Sequence, residues 1–331
     1  MVRISEIPTR LLALKYGADI VWGPEIVDKA LITEPPAERV VNEKLGCIDF
    51  VKMPKNQVIF RTHPLEKQRL VFQLGSGTPA LAVQAAKLVA KDVAAIDLNC
   101  GCPKPFSTTG GMGSVLLSDV DRLCAILVAL VTEVGKPFGI GISAKIRLLD
   151  DEAATEAMVR RICKTGIIGL TIHLRTVPMR PREPALRARL ARLVEVCKEE
   201  KVVLLANGDV KDRDEALAVM AESGVDGIMI ARGAEHNPSC FRSSTEGGPL
   251  DTFQLARELL RTAEEYDNAP ANTKYILLRI LADKSKTAAY RKCQSAKGYA
   301  ELKEALMVEE EKPKPTRRFA SESARKTAAV A

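Results

Sequence analysis

The chain has 331 residues, of which 46% are hydrophobic and 27% charged, and a formal net charge of +7. This length suits one barrel-sized domain with a small addition, or two to three ordinary domains. No apolar run approaches the roughly 18 residues that a membrane span requires, and the N-terminus lacks the apolar core of a secretory signal. The composition therefore argues against a membrane protein or a secreted one.

Eight cysteines are scattered along the chain without the spacing of a disulfide framework. We therefore expect reduced thiols and a protein of the cytosol or the nucleus. Cys100 and Cys102 form a lone C-x-C pair, and no second Cys/His pair lies at zinc spacing, so no metal is expected. The sequence leaves the oligomeric state open.

Apolar runs rich in β-branched residues recur along the chain, and amphipathic stretches separate them. A helix at 7–16 comes first, and the predicted barrel strands are 18–23, 70–75, 94–99, 140–146, 169–173, 202–206 and 227–231, with an additional hairpin strand at 58–61. The helices between them are predicted at 79–90, 119–134, 152–164, 188–200 and 212–223. This alternation implies right-handed crossovers and a parallel sheet.

Polar residues fall at nearly every strand end: Gln73, Asn99, Lys145 with Arg147, His173 with Arg175, Asn207, and Arg232. The C-terminal strand ends of a (β/α)8 barrel form its active site, whereas an open doubly wound sheet concentrates the site at one switch point. The distribution predicts an α/β fold of the (β/α)8 TIM-type barrel. Only seven barrel strands can be counted, so the first strand is expected to be missing or supplied in another way.

The pattern after about residue 250 is helical, with helices predicted at 252–265, 272–282, 286–296 and 299–308. The last stretch is rich in Glu, Lys and Pro and lacks apolar periodicity, which is typical of disorder. We therefore divide the chain into a barrel (1–248), a small helical domain (249–308) and a disordered tail (309–331).

The most informative motif is Asp97-Leu-Asn-Cys-Gly-Cys-Pro-Lys104, followed by the glycine-rich stretch 107–114. A buried strand here delivers Asn99 and Cys102 to the mouth of the barrel. A thiol presented in this way acts as a nucleophile or as a proton donor, depending on its pKa. Isolated cysteines more often only pack, but the surrounding Asn, Gly and Pro favour a functional thiol.

Two later features indicate polyanionic ligands. The turns Asn207-Gly-Asp209 and Ala231-Arg-Gly233 end the last two strands, where barrels often bind a phosphate. Six arginines against one acid occupy 175–192, and seven Lys/Arg against one acid occupy 274–297. Each basic cluster alone is equally consistent with a solvated helix face, but the two together favour nucleic acid.

Together these motifs resemble the tRNA-dihydrouridine synthases, which are FMN-containing (β/α)8 barrels with a C-terminal helical domain. The resemblance rests on the 97–103 and 110–114 elements, on 144–147, 172–176, 206–209 and 230–233, and on their order. The stretches 2–21 and 266–275 are most similar to the eukaryotic branch that modifies position 20 of the D-loop. The match covers about residues 2 to 305.

The resemblance implies a reaction. NADPH reduces FMN, a hydride passes from flavin N5 to C6 of a uracil ring in tRNA, and Cys102 gives a proton to C5. A thiol with a pKa near 8.5 stays mostly protonated at neutral pH, which suits an acid. Asn99 is expected to bind the uracil edge or orient the ring, and the target base must leave its stack.

The resemblance also assigns the remaining site residues. Those expected to hold FMN are Gln73, Lys145, His173, Asn207, Gly208, Asp209, Ala231, Arg232 and Gly233. Those expected to contact tRNA are Arg147 and Arg175, with strand-end surface arginines as the alternative interpretation, and Asn272, Thr273, Lys274, Arg279, Lys286, Arg291 and Lys292 of the helical region.

The chain departs from the family pattern at two places. The family's first strand normally ends in Ala-Pro-Met, and here Met1 stands at the Met, so we expect an N-terminally incomplete chain. Leu174 replaces a glycine that often follows the histidine. Two alternatives remain at this point: another FMN-barrel oxidoreductase acting on a small molecule, and a catalytically inactive tRNA-binding protein. The sequence leaves open which uridine is reduced and whether NADPH or NADH is used.

Overall fold

The computed structural model describes residues 1–307, and the predicted tail lies outside them. The strands are β1 (Val21–Val27), β2 (Glu38–Asn42), β3 (Cys47–Lys52), β4 (Gln57–Thr62), β5 (Leu70–Gly75), β6 (Ala95–Asn99), β7 (Gly141–Leu148), β8 (Gly169–Thr176), β9 (Val203–Asn207) and β10 (Gly227–Met229). The α-helices are α1 (Ile7–Lys15), α2 (Asp28–Ile32), α3 (Pro79–Val89), α4 (Pro105–Thr108), α5 (Val120–Leu130), α6 (Lys136–Phe138), α7 (Glu152–Cys163), α8 (Leu190–Glu199), α9 (Arg213–Ser223), α10 (Arg232–His236), α11 (Thr252–Glu265), α12 (Pro270–Ile280), α13 (Ala288–Ser295) and α14 (Tyr299–Leu306). None of the described helices has both the length and the apolar character needed to cross a bilayer.

Seven parallel strands form one curled sheet in the order β1-β5-β6-β7-β8-β9-β10. Neighbours in this order are consecutive along the chain, apart from β2 to β4, and helices follow them as crossovers. Within residues 1–307, β1 and β10 do not pair with each other. The predicted parallel α/β barrel-type architecture is confirmed, with the seven strands that the sequence indicates.

Strand β1 differs most from its prediction. The apolar run at 18–23 predicts a strand that stops at Gly23, but the strand continues through Pro24 to Val27. The pairing register with β5 shifts between Trp22 and Glu25. Because proline has no backbone N–H, it is tolerated at such an irregularity. The extension places Glu25 beside Gln73 at the end of the sheet.

The hairpin strand predicted at 58–61 belongs to a three-stranded antiparallel sheet, β2-β3-β4, inserted between β1 and β5. Aromatic rings attach this small sheet to the barrel. The Phe60 and Phe72 ring centroids are 4.9 Å apart in an edge-to-face arrangement, and Phe50 is buried against them. Such pairs add to the stabilisation that burial alone provides.

Aspartate caps begin several of the outer helices. The side chains of Asp119, Asp151, Asp212 and Asp251 accept hydrogen bonds from backbone N–H groups of the first turns of α5, α7, α9 and α11. The helix predicted at 119–134 is α-helical only to Leu130 and continues as a π turn at Val131–Gly135. Pro137 follows at once, and a wider turn avoids the clash of its ring with the carbonyl four residues earlier.

Two large hydrophobic cores lie in the described chain, with a small third cluster around Val219 and Ile230. The larger lies between the sheet and its helices, and the smaller joins helices α11 to α14. Ile4 and Leu12 from the start of the chain also belong to the smaller core, so the helical region packs around α1. The predicted boundary at 248/249 stays a prediction.

One guanidinium connects the small sheet to the helical region, and we call it the Arg61 clamp. Arg61 binds the carboxylate of Asp49 through Nε and Nη2 at 2.5 and 2.8 Å. Its Nη1 donates to the backbone oxygens of Tyr266 and Asp267, at 2.7 and 3.3 Å. The clamp therefore ties β3 and β4 to the end of α11.

Candidate active site

The register of the parallel strands aligns the polar strand ends in three rows. Gln73, Asp97 and Ser143 are partners across β5, β6 and β7. Asn99, Lys145 and Thr171 form the next row, and Arg147, His173 and Asn207 form the third. The structure therefore brings together the polar residues that the sequence places at successive strand ends.

Asp97 organises the first row. Gln73 Nε2 donates to Asp97 Oδ2 at 2.9 Å, and Ser143 Oγ donates to Oδ1 at 2.8 Å. The carboxyl group is fully buried, and this burial raises its pKa. Sequence reasoning gave Asp97 no role of its own. The structure shows that it fixes the orientation of the Gln73 amide.

Lys145 lies on β7, in the middle of the sheet, where its amine is partly buried. Burial lowers its pKa to about 8, although the nearby Asp97 carboxylate opposes the shift. Within residues 1–307 its Nζ forms neither a hydrogen bond nor an ion pair. A partly buried amine of this kind is a candidate partner for an anionic or acceptor group of a ligand.

His173 is a neutral side chain at physiological pH. Burial and the positive charges of Lys145, Arg147 and Arg175 lower its pKa to about 3. The imidazole can therefore exchange hydrogen bonds with a ligand, but it adds no positive charge to the site.

Asn99 holds the loop that carries the thiol. Its Oδ1 accepts hydrogen bonds from the backbone N–H groups of Gly101 at 3.0 Å and Cys102 at 3.2 Å. Arg147 Nε donates to the Gly101 oxygen at 2.9 Å. Cys102 is half-buried, and burial raises the pKa of its thiol. The site thus presents a protonated thiol on a loop fixed from both sides.

Glu25 is a site residue that the sequence prediction missed. Its carboxyl group is 8% exposed and lies 3.5 Å from Ser107 Oγ, behind the Cys102 loop. A side chain at Gly75 would place its Cβ 2.8 Å from Glu25 Oε1, so the glycine makes room for the carboxyl group. The available signal for Glu25 is an acid that follows an apolar run. The proline before it is typical of the end of a strand, so the sequence pattern places Glu25 outside the sheet.

A cavity of about 1070 Å³ opens beside the ends of β8, β9 and β10. Its walls include the predicted residues Arg147, His173, Arg175, Asn207, Gly208, Asp209, Ala231, Arg232 and Gly233. Gln73, Asn99, Cys102 and Lys145 do not line this cavity but lie on the adjoining strand ends. The predicted site therefore has two parts. One consists of the strand-end residues Gln73, Asn99 and Lys145 with the Cys102 thiol, and the other is the cavity lined by the glycine-containing turns.

Arg175 requires a correction, because it does not reach out to an RNA. Its side chain is 3% exposed. It binds both carboxylate oxygens of Asp209 at 2.5 and 2.6 Å and donates to the Glu183 oxygen at 2.7 Å. Arg232 also contacts the Asp209 carboxylate. Arg175 therefore orders the Asp209 turn from inside the protein.

The residues predicted for RNA contact in the helical region divide into two groups. Thr273 is a second correction: it is fully buried, and its hydroxyl binds Asn268 and Tyr299. Asn272 and Lys274 are half-buried and donate to the backbone oxygens of Arg3 and Ala296. The residues with exposed cations are Arg279, which pairs with Glu235, and Lys286, Arg291 and Lys292.

The family of this chain follows from its sequence relatives. The family model for dihydrouridine synthase (Dus) matches residues 1–327. The chain belongs to the dihydrouridine synthase family. A Schizosaccharomyces pombe protein named tRNA-dihydrouridine(20) synthase, NAD(P)+, is 55% identical over 93% of this chain. The Saccharomyces cerevisiae protein of the same name is 44% identical over 89% of it.

The dihydrouridine synthase relatives differ in how much of their length this chain spans. It covers 64% of the S. pombe protein and 79% of the S. cerevisiae protein.

Among solved structures, a DHODH from Eimeria tenella in complex with ferulenol is similar, with a TM-score of 0.45 and 12% identity, over 83% of this chain and 78% of that one. The structure of TcOYE with pHBA is also similar, with a TM-score of 0.48 and 11% identity, over 81% of this chain and 89% of that one. The family assignment rests on the sequence relatives.

Proposed function

We propose that this chain is a tRNA-dihydrouridine synthase that reduces a D-loop uridine to 5,6-dihydrouridine, with FMN bound and NADPH as the reductant. The observation that carries the proposal is the position of the half-buried Cys102 thiol, on a loop that Asn99 holds at the end of β6 beside Lys145. The relatives named for position 20 support the D-loop as the target.

The residues present fit a flavin mononucleotide. Lys145, whose amine has no protein partner in the described chain, suits the electron-rich pyrimidine edge of the ring. Gln73, held through its Nε2 by Asp97, keeps its carbonyl oxygen as an acceptor for a ring N–H. The glycine-containing cavity, with Arg232 and the backbone at Gly208 and Gly233, suits the ribityl phosphate.

When bound, FMN supplies the hydride that reaches C6 of the uracil. Cys102 Sγ–H then provides the proton for C5, because its raised pKa keeps it protonated at neutral pH. The Asn99 Oδ1 is occupied by backbone N–H groups and its Nδ2 faces the Glu25 carboxyl group, so Asn99 acts by holding the thiol loop in place. Arg147, bound to Gly101, supports the same loop.

The first experiment is to record the visible absorbance of the purified protein and identify any released flavin. Stoichiometric FMN, followed by NADPH-dependent dihydrouridine formation in tRNA lacking the modification, is the expected result. Reduction of small-molecule acceptors without activity on tRNA would replace the proposal with another flavin oxidoreductase. Retained tRNA affinity with no flavin and no product would indicate a binding protein.

Lys145→Met is expected to increase the stability of the ligand-free protein and to weaken flavin retention. Keeping a charged amine in this half-buried position opposes folding, so we expect the free energy of unfolding to rise by roughly 1–3 kcal/mol. Between about pH 8 and 10.5 the unfolded chain binds a proton that folded Lys145 has lost. Wild-type stability from this group therefore rises across that window, and the variant lacks the rise.

Urea unfolding at pH 7 and at several values up to pH 10 measures both effects. Lys91→Met, at an exposed lysine ahead of β6, is the matched control and should leave the pH profile unchanged. A variant less stable than the wild type at pH 7 would contradict the assignment of Lys145 as a ligand-facing amine.

Lys286→Gln combined with Arg291→Gln is expected to weaken tRNA binding several-fold at moderate salt. Both cations are exposed in the helical region. Loss of two phosphate contacts should reduce the slope of log K against log salt concentration by about 2. Fluorescence anisotropy with labelled tRNA across a salt series provides the measurement. Lys91→Gln with Lys136→Gln, ahead of β6 and β7 at the opposite end of the sheet, should not change it.

A further inference from the structure

A buried side-chain cluster lies directly behind the Cys102 loop. Ser107 in α4 is fully buried, and its hydroxyl points to Glu25 Oε1 at 3.5 Å. A Cβ on Gly113 would lie 2.4 Å from Ser107 Oγ and 2.5 Å from the Cys102 backbone oxygen. The loop therefore packs tightly enough to hold Ser107 between the thiol residue and the carboxyl group.

The cationic group that faces the Glu25 carboxyl group is the α-amino group of Met1, and burial lowers the pKa of that amine to about 6. In the described part of the chain, neither lysine nor arginine forms an ion pair with it. The groups that face it are the side chains of Asn99, Cys102 and Ser107, and the α-amino group of Met1. An ionised carboxylate without a paired cation is costly to bury, so this cluster favours a protonated carboxyl group.

The proposed reaction requires Cys102 to regain a proton after each turnover, and this cluster can supply it. Each uracil reduced takes the proton from Cys102 Sγ and leaves a thiolate. A base bound in front of the thiol separates it from solvent on that side. The thiolate must regain one proton before the next turnover, and the Ser107 hydroxyl and Glu25 carboxyl lie on its other side.

We propose that Glu25 and Ser107 form a proton relay that reprotonates Cys102 after each turnover. Ser107 Oγ–H gives its proton to the Cys102 thiolate and takes one from the Glu25 carboxyl group. The resulting Glu25 carboxylate regains a proton from water when the site opens. One proton moves along the chain of groups, and no oxidant or reductant is involved. The relay rests on the function proposed above and acts through Cys102.

Glu25→Gln tests the relay because it keeps the shape of the side chain but has no proton to supply. In rapid-quench experiments with pre-reduced enzyme, excess NADPH and unmodified tRNA, the first dihydrouridine should form at the wild-type rate, since Cys102 starts protonated. Later turnovers should slow on the order of tenfold or more. Ser107→Ala should give the same burst. Glu222→Gln, at an exposed glutamate of α9, should give no burst.

A second measurement does not depend on turnover. Alkylation of Cys102 by iodoacetamide, followed by peptide mass spectrometry as a function of pH, reports the thiol pKa. Once Glu25 has lost its proton at alkaline pH, its negative charge raises the pKa of the Cys102 thiol, so Glu25→Gln should shift the alkaline part of the alkylation profile to lower pH. If Glu25 has only a structural role, Glu25→Gln would slow the first and later turnovers equally and leave the alkylation profile unchanged. That result would overturn the relay. A wild-type enzyme that makes no dihydrouridine would refute the proposed function and the relay as a step of it, while a shifted profile would still show that Glu25 and Cys102 are coupled.

Discussion

Cys102→Ala is expected to lower turnover on tRNA by a factor on the order of 10²–10⁴ while the protein retains its flavin. The variant removes the thiol that the structure holds on the Asn99-bound loop and that burial keeps protonated at neutral pH. The hydride-donating half of the site, with Gln73 and Lys145, is left unchanged. Dihydrouridine formation under saturating NADPH, together with the flavin absorbance of the same preparation, measures the two properties separately.

Cys124→Ala is the matched control for the thiol. Cys124 is also half-buried, with a pKa raised by burial, but it lies on α5 in the outer helical layer. Its replacement should leave turnover within about twofold of the wild type, as expected for a surface-layer substitution. Full activity of Cys102→Ala would refute the assignment of Cys102 as the acid.

Glu66→Ala is expected to destabilise the protein by about 3–5 kcal/mol, the largest stability effect that we predict. Glu66 is fully buried and binds Arg10, itself 2% exposed, through two hydrogen bonds of 2.7 Å. Arg10 also donates to the backbone oxygens of Ser5 and Arg61 at 2.6 and 2.8 Å. Removal of the carboxylate leaves a guanidinium buried without its counter-charge. Urea unfolding measures the loss.

Two controls separate the buried charge from the lost contacts. The double variant Arg10→Met with Glu66→Leu removes both charges and should recover much of the stability, since apolar replacement of a buried pair is often neutral or better. Glu133→Ala breaks an exposed pair with Lys87 and should cost only about 0–1 kcal/mol. A Glu66→Ala loss no larger than that of Glu133→Ala would show that the buried pair does not contribute as argued.

Much of the fold was predictable because the parallel strands are buried on both faces. Each predicted barrel strand has a counterpart, and the run 70–75 coincides with β5. The extension of β1 through Pro24 was not predictable, since a local rule places proline outside strand interiors. Tertiary pairing with β5 overrides that rule by shifting the register. The small sheet was seen only as one strand, because its other two strands are short and partly polar.

The candidate site was predictable where position along a strand determines the direction of the side chain. Lys145 and His173 fall into rows because the register of parallel strands fixes their neighbours. Residue type alone does not encode exposure, and so the RNA contacts predicted for Arg175 and Thr273 fall on side chains that the structure buries. Glu25 and Asp97 were missed for a related reason: their partners come from distant parts of the chain.

The Arg61 clamp fixes the position of the end of α11 relative to the small sheet. Because Asp49 holds the Arg61 guanidinium against the small sheet, the helical region cannot turn against that sheet without breaking the bonds from Arg61 to the two carbonyl oxygens at the end of α11. The same bonds hold the end of α11 in a fixed position beside the small sheet. On the proposed function, an RNA held at Arg291 would meet the thiol only with a nucleotide at a matching distance along its surface.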